Sequence, residues 1–532
     1  MAVSIDEQPI IKRLVTAGNN DIYYEDLTVA AGTMIELDTS SGAIDTSDQL
    51  TMAAAFQKVF IANGSNLKVA DFINTKLTIT ALTTAPTRSS IVTQATSNAT
   101  MIVDSVNTAK TEIYGYTTSG MFVTTGGYTL SGGSMDPETR VPSAVASQPH
   151  WYDWTVYPGG LAGAMPEKAY LITVYRGRLV LSGNPRYPNQ WFMSKLADPF
   201  NWLYGADDPM SAVAGNNADA GQCPDIVRSL ISFHDDYLIF GCASTIWILR
   251  GDPVAGGSLD NLSDTTGMFG ANSWCFDDAR NLYFWGSGGL YEIKSDFSGI
   301  RNLTEMVLPD IINDEAADPS THRITMGYDK KRHGIVVAIT VLATGVNSNY
   351  FYSFKTKGFY PESYPNECGP YSIFYYDAND TTFADLLIGS KDGYIRKFLT
   401  SAKNDDIGGS DSAISSYVTY PITPLSDIDQ NGKLTELVFD LAGGAAGGDA
   451  GDTDGVTYEL HKGNDAETVL EDIVDGATAF LSETLSGTGR KNKIKPRMKG
   501  AYMGLKLFNS TASETWAINR VLYGTIKAGK VR

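Results

Sequence analysis

A short unit recurs along this chain and limits the folds open to it more than any other feature: a polar turn, an apolar strand, a second tight turn and another apolar strand. Asp235-Asp236-Tyr237-Leu238-Ile239-Phe240-Gly241 leads into Ser244-Thr245-Ile246-Trp247-Ile248-Leu249. The same outline returns at residues 277–286, followed by Gly288-Gly289-Leu290-Tyr291-Glu292-Ile293. Fainter copies lie at residues 58–69, 175–183, 329–338 and 386–396. The spacing of roughly 40 to 60 residues is that of four-stranded propeller blades. A single blade cannot bury both of its faces, so blades pack face to face around an axis until the ring closes. The expected fold is all-β: a β-propeller core of six or seven blades, with an inserted small β-domain and an extra C-terminal β-sheet. A pair of β-sandwiches is the alternative, since hairpin repeats do not by themselves require closure.

Composition shifts place the boundaries. Residues 1–50 read as an N-terminal arm or contact segment, and 51–83 as the first blade region. The Thr-, Ser- and Gly-rich stretch 84–135, poor in charge, reads as the inserted β-domain, and 136–420 as the remaining blades. Residues 421–532 alternate apolar and polar positions, as half-exposed strands do, and are expected to complete the propeller and form an adjacent sheet. Their Gly/Asp-rich segment 442–455 reads as a flexible loop. Residues 196–224 form a long loop carrying Asp207, Asp208 and Asp219. Helix is expected only at residues 308–317 and 466–475.

The formal charge of −19 and pI near 4.7 exclude a protein that wraps nucleic acid through a basic surface, because neutralising phosphates takes Lys and Arg. An acidic surface keeps an abundant protein soluble. Lining a conduit, it would also repel the DNA backbone and let a duplex slide. Cys223, Cys242, Cys275 and Cys368 show no metal-ligand spacing and read as buried thiols of a reducing compartment. No basic start precedes an apolar run, and no stretch approaches about 18 apolar residues, so neither a signal peptide nor a membrane span is expected.

Catalytic motifs are lacking in the sequence. No nucleophile elbow, phosphate-binding loop or H-E-x-x-H occurs. His322 and His333 lack ligand spacing and read as solvent-facing turn residues; His150, His234 and His461 are scattered. The carboxylate pairs Asp207-Asp208, Asp235-Asp236 and Asp277-Asp278 precede strands. Neighbours on a strand point to opposite faces, so these pairs read as turn formers and not as acid/base couples. Residues 449–454 lack regular calcium-loop spacing. The expectation is no catalytic residues, no cofactor and no metal. One charge inversion stands out: Arg490, Lys491, Lys493, Lys495, Arg497 and Lys499, six basic residues within ten. Such a run serves either as a solvated edge that discourages strand addition or as a patch for docking an acidic neighbour or facing DNA.

Three segments carry a resemblance. The first joins Tyr175-Arg176-Gly177-Arg178-Leu179-Val180-Leu181-Ser182-Gly183-Asn184-Pro185, Trp191-Phe192-Met193-Ser194 and Asp198-Pro199-Phe200-Asn201-Trp202; the second is residues 226–250. The third joins residues 495–507 to Trp516-Ala517-Ile518-Asn519-Arg520-Val521. Together they resemble the tail nozzle and tail tubular proteins of short-tailed bacteriophages, as hydrophobic patterns and not as fingerprints. Residues 1–150 carry no such likeness. The resemblance implies a non-enzymatic virion tail subunit assembled in the host cytoplasm. It implies a homo-oligomeric ring, normally a hexamer, below a head-to-tail adaptor, meeting tail fibre or needle proteins and passing double-stranded DNA through its channel. The inserts at 84–135 and 442–455 would suit contacts with neighbours. The alternative is a propeller-type tail protein that binds or cleaves glycans, for which exposed Trp151, Tyr152 and Trp154 would form a sugar platform.

Overall fold

The computed structural model describes residues 2–5, 11–26, 30, 32–37, 44–46, 49–135, 140–205, 208–399, 402–427, 430–441, 455–485 and 491–530. Asp207, Arg490 and residues 442–454, which include the Asp-rich stretch 449–454, lie outside them. The chain divides into two compact units: Met1–Glu362 with Asn366–Lys397, and Ser363–Pro365 with Phe398–Arg532.

The first unit is a β-propeller. Its described strands form six four-stranded antiparallel sheets and one three-stranded sheet, besides an insertion. Blade 1 runs from Ala2–Ile5 to Met34–Glu36, and blade 2 contains Thr51–Ala55, Lys58–Ala62, Leu67–Asp71 and His150–Asp153. Blades 3 to 6 begin at Leu171–Tyr175, Val227–Phe233, Trp274–Phe276 and His322–Asp329, and blade 7 comprises Pro370–Tyr376, Asp385–Ser390 and Ile395–Lys397. Residues 1–50, expected as an arm, thus supply a blade: the strands Ile11–Gly18 and Asp21–Glu25 bury Val15 and Ile22 against Val59 and Ile61 of blade 2.

Local chemistry fixes the hairpins. Asn19-Asn20, Phe56-Gln57 and Arg176-Gly177 are two-residue links whose positive φ matches the twist of the strands they join. The recurring glycine at the end of a second strand is required by a close approach. At Gly183, with φ +73°, a Cβ would lie 2.4 Å from the Tyr170 ring; at Gly241 it would lie 2.1 Å from Ser229 Oγ.

First strands of neighbouring blades approach one another, as Leu171–Tyr175 does with both Thr51–Ala55 and Val227–Phe233, which marks them as the strands around the axis. Second strands are covered on both faces, so Lys58–Ala62 and Arg178–Asn184 are buried throughout. Shared cores join each blade to the next. Val180 and Trp191 of blade 3 meet Leu238 and Phe240 of blade 4; Ile239 and Ile248 meet Leu282 and Phe284 of blade 5; and Tyr283 and Leu290 meet Ile324 and Ile335 of blade 6. Gly327 of blade 6 gives room to Ile373 and Leu386 of blade 7. Polar contacts then close the circle onto blade 1. Tyr376 donates to the buried Glu25 carboxylate, the Lys12 N–H donates to Asn379 Oδ1 at 2.9 Å, and Asn379 Nδ2 donates to the Lys12 carbonyl at 2.8 Å.

The insertion separates the third and fourth strands of blade 2. It is a six-stranded sheet ordered Leu130–Gly132, Ile91–Gln94, Thr100–Val106, Glu112–Ser119, Thr75–Thr78, Ala144–Ala146, wider than the expected 84–135. A polar cluster rivets it to the blade. Lys58 Nζ lies 2.7 Å from Asp104 and 4.0 Å from Asp71, Arg88 pairs with Asp104 at 2.7 Å, and Asn74 Nδ2 donates to Asp71 at 2.6 Å and to Asp104 at 2.9 Å. Burial alone would raise the Asp104 carboxyl, but the Lys58 and Arg88 cations outweigh it and hold it below its ordinary value. A depressed carboxyl contributes stability that is present above its unfolded value of about 3.9 and is lost as pH falls through the lower folded value. Asp104→Asn is therefore expected to lower the unfolding free energy by about 2 kcal/mol at neutral pH. In urea titrations the gap from the parent chain should close once the pH is low enough to protonate Asp104 in the folded parent.

The second unit is a β-sandwich. One sheet combines Ser416–Thr419, Tyr502–Asn509, Thr457–Gly463 and Leu481–Thr484, with Thr423–Pro424 beside Tyr502–Asn509; the other centres on Gln430–Leu441, which pairs with Lys491–Ile494, Met498–Gly500 and Ile518–Lys530. Leu434, Leu437 and Phe439 pack against Tyr458, Leu460, Leu505 and Leu507 between them. The helix Ala466–Val474 starts at Asp465, whose carboxylate accepts the Thr468 N–H at 2.8 Å. Every described strand from Asn404 onward pairs within this unit, so the strands of 421–532 do not complete the last blade as expected. Their alternating pattern gives each sheet one apolar face, and two such faces satisfy each other. Residues 308–317 yield only the five-residue helix Ile311–Glu315.

Candidate functional site

One open space in the propeller is a cavity of about 450 Å³. Its lining comes from five successive blades: Gln49 and Asn63 to Ser65 of blade 2, Tyr170 and Pro185 of blade 3, Arg228 of blade 4, Phe269 to Ala271 of blade 5, and Pro319 with His322 to Ile324 of blade 6. In a ring, elements of five consecutive blades converge only at the axis. Gln49, Tyr170, Arg228 and His322-Arg323 also hold one position in the repeat, at or just before the start of a first strand, so the cavity sits where those strands begin.

Its polar character is cationic. No carboxylate belongs to the lining, and among the described residues neither Arg228 nor Arg323 has a carboxylate within 4.0 Å or a hydrogen-bond partner in the protein. Arg323 rests on the Tyr371 ring at 5.2 Å, and burial lowers its pKa. His322 is half-buried, a correction to its reading as a solvent-facing turn residue: it opens the first strand of blade 6, and its Nδ1 accepts the Asp318 N–H at 3.2 Å. That bond leaves Nε2 as the protonated nitrogen of the neutral ring. His333 is exposed in a turn at φ +54°, as expected. Burial raises the Tyr170 hydroxyl, and the Arg228 cation partly offsets the rise.

The basic run predicted from sequence lies in the second unit. Lys491 and Lys493 point outward from the strand Lys491–Ile494, Lys495 and Arg497 are exposed in the link that follows, and Lys499 is exposed on Met498–Gly500. Lys493 pairs with Glu436 at 2.6 Å. The register sets Lys491 beside Asp440 and Lys499 beside Lys433. The five described cations thus form an exposed row along a sheet edge.

The other polar pairs serve local structure. The Asp277 carboxylate accepts from Asn281 N and Nδ2, both at 2.8 Å, and Asp236 offers its carbonyl to Tyr175 at 3.1 Å. All four cysteines are buried free thiols. Trp151, Tyr152 and Trp154, named for a surface platform, are buried, because they belong to the strand His150–Asp153 and its exit between blade 2 and the insertion. Among the described residues, no group of three His, Cys, Asp or Glu side chains gathers to hold a metal, and no helix is long and apolar enough to cross a membrane, which says nothing of a crossing by strands.

No family model matches the chain, and no curated protein matches it in sequence. Solved structures give distant likenesses. The extracellular domain of a one-component system from B. thetaiotaomicron matches at 11% identity and a TM-score of 0.29, over 97% of this chain and 68% of that one. A protein from Lactobacillus plantarum matches at 10% identity and a TM-score of 0.33, over 75% and 96%. PorZ, a surface component of the type-IX secretion system of Porphyromonas gingivalis, matches at 12% identity and a TM-score of 0.25, over 98% and 74%. The architecture rests on the chain's own strand pairing.

Proposed function

We propose that this chain is a structural subunit of a virion, belonging to the tail nozzle or hub of a short-tailed bacteriophage and working without turnover. The observation that carries the reading is where the three resembling segments fall. In chain order they build blade 3, blade 4 and the sandwich, so the likeness extends over both compact units. The acidic charge suits a channel that must not hold DNA by its phosphates.

Assembly into a closed ring, a hexamer by analogy, needs two different surfaces that meet head to tail. The chain offers suitable candidates. The insertion exposes a cross-strand apolar row of Ile91, Ile102 and Tyr116, and the edge strand Ile518–Lys530 exposes Leu522, Tyr523 and Ile526. The exposed cations Lys491 to Lys499 suit an acidic neighbour or the head-to-tail adaptor. Tail fibre or needle proteins and a transient DNA duplex complete the proposed partners. The glycan-cleaving alternative needs two carboxylates facing each other across a cleft, and the axial cavity is lined by two arginines and no carboxylate.

Light scattering and negative-stain imaging of the purified chain at high concentration test the reading. The expected result is a ring of subunits around a central hole. A chain that stays monomeric and shows no affinity for tail partners overturns it.

A further inference from the structure

We propose that the axial cavity of the propeller is a binding site for a small oxyanion carrying at least two negative charges, either a phosphate ester or a polycarboxylate. In a chain of net charge −19, two arginines line one cavity to which no carboxylate contributes. Elsewhere in this protein several buried or half-buried arginines are paired with carboxylates. Arg332 is held by Asp329 and Glu362, Arg88 by Asp104 and Asp198, and Arg396 by Asp392. Arg228 and Arg323, among the described residues, have no carboxylate within 4.0 Å, and both line the same cavity. Two planar forks converging on a cavity are the arrangement that recognises carboxylate or phosphate oxygens in pairs.

The remaining groups fit the same ligand. Gln49, the Tyr170 hydroxyl and His322 Nε2 supply further donors, and among the described residues none of these three has a partner at those atoms. Asp318 lies outside the lining and accepts from Ser320 N at 2.7 Å and from Ser320 Oγ at 2.6 Å; those bonds, with smaller contributions from the His322 and Arg228 charges, hold its carboxyl below the ordinary value. Phe269, Ala271 and Ile324 form the apolar part of the wall. The volume of about 450 Å³ is that of a small-molecule site and is far too small for a duplex, so this binding is separate from any DNA passage. It also stands apart from the virion reading, since a monomer contains the whole cavity.

Calorimetric titration of the full chain with inorganic phosphate, citrate and glucose tests the proposal. The expected result is saturable binding of phosphate, citrate or both, with a Kd of about 1 mM or tighter and no binding of glucose. Phosphate alone would assign the site to phosphate esters, and citrate alone to polycarboxylates. R228Q should weaken the bound anion about tenfold or more, since charge-assisted hydrogen bonds are lost. It should leave the circular dichroism spectrum and the unfolding midpoint unchanged, because Arg228 makes no bond within the fold. R323Q should weaken binding likewise. Absence of saturable anion binding, equal binding of glucose, or anion binding unchanged in both variants overturns the proposal.

Discussion

Trp202→Ala is expected to cost about 3–5 kcal/mol of unfolding free energy, the range for deleting a large aromatic from a packed core. The indole is fully buried and stands edge-on to Trp154, with ring centres 5.8 Å apart; Trp154 in turn packs on Phe60 of blade 2 at 4.8 Å. Both indole N–H groups donate to one carbonyl, that of Pro199, at 2.9 Å from Trp154 and 3.0 Å from Trp202. Backbone fit is equally tight. The Trp202 N–H donates to the Ala162 carbonyl at 2.7 Å, and a Cβ at Gly163 would lie 2.1 Å from the Trp202 carbonyl oxygen. The alanine variant therefore loses apolar burial and leaves a cavity where blades 2 and 3 and the insertion share a core. Urea unfolding followed by tryptophan fluorescence measures the loss. Trp202→Phe, which keeps most of the ring volume, should recover more than half of it; equal stability of the alanine variant and the parent would refute this account.

Arg178→Met should cost about 3 kcal/mol by a different route. The Arg178 guanidinium is 1% exposed and has no carboxylate beside it. It is held by carbonyls: Nη1 donates to Ser194 at 3.0 Å and also to Ser211, and Nη2 donates to Pro209 at 2.8 Å. Burial lowers its pKa, with Asp252 and Asp208 opposing the shift. The Pro209 and Ser211 carbonyls belong to the segment that feeds the outer strand Val213–Ala214 of blade 3, and that of Ser194 to the exit of the third strand Tyr187–Met193. A methionine fills the volume but leaves the acceptors unpaired, and each buried unpaired carbonyl costs about 1–3 kcal/mol. The segment around residues 208–212 should then become cleavable by protease under native conditions while the parent resists. Arg178→Lys should restore part of the protection, since an ammonium reaches fewer acceptors than the fork does.

Both residues belong to the segments that resemble tail nozzle proteins, and both act on the architecture. Arg178 and Gly183 set the second strand of blade 3, while residues 198–202 form the plug beneath it. The resemblance is thus borne by positions that build the blade. What the chain does has to be sought on its surfaces: the exposed row on the insertion, the edge strand Ile518–Lys530, the cationic run from Lys491, and the axial cavity.

The sequence by itself determined the repeat and its reason. Apolar strands between tight turns recur at blade spacing, and the second and third strands of blades 4 and 5 lie where residues 237–249 and 282–293 place them. Turn chemistry, buried thiols and the helix at residue 466 were also legible, because each depends on residues close in sequence. Tertiary structure decided what depends on distant partners. Residues 1–50 become a blade because Val15 and Ile22 find Val59 and Ile61, and because Glu25 finds Tyr376 at the other end of the ring. Residues 421–532 close on themselves as a sandwich because their apolar faces match each other. The axial cavity was invisible in the same way. Arg228 and Arg323 are 95 positions apart, each ordinary in its own strand, and only closure of the ring brings both into the lining of one cavity to which no carboxylate contributes.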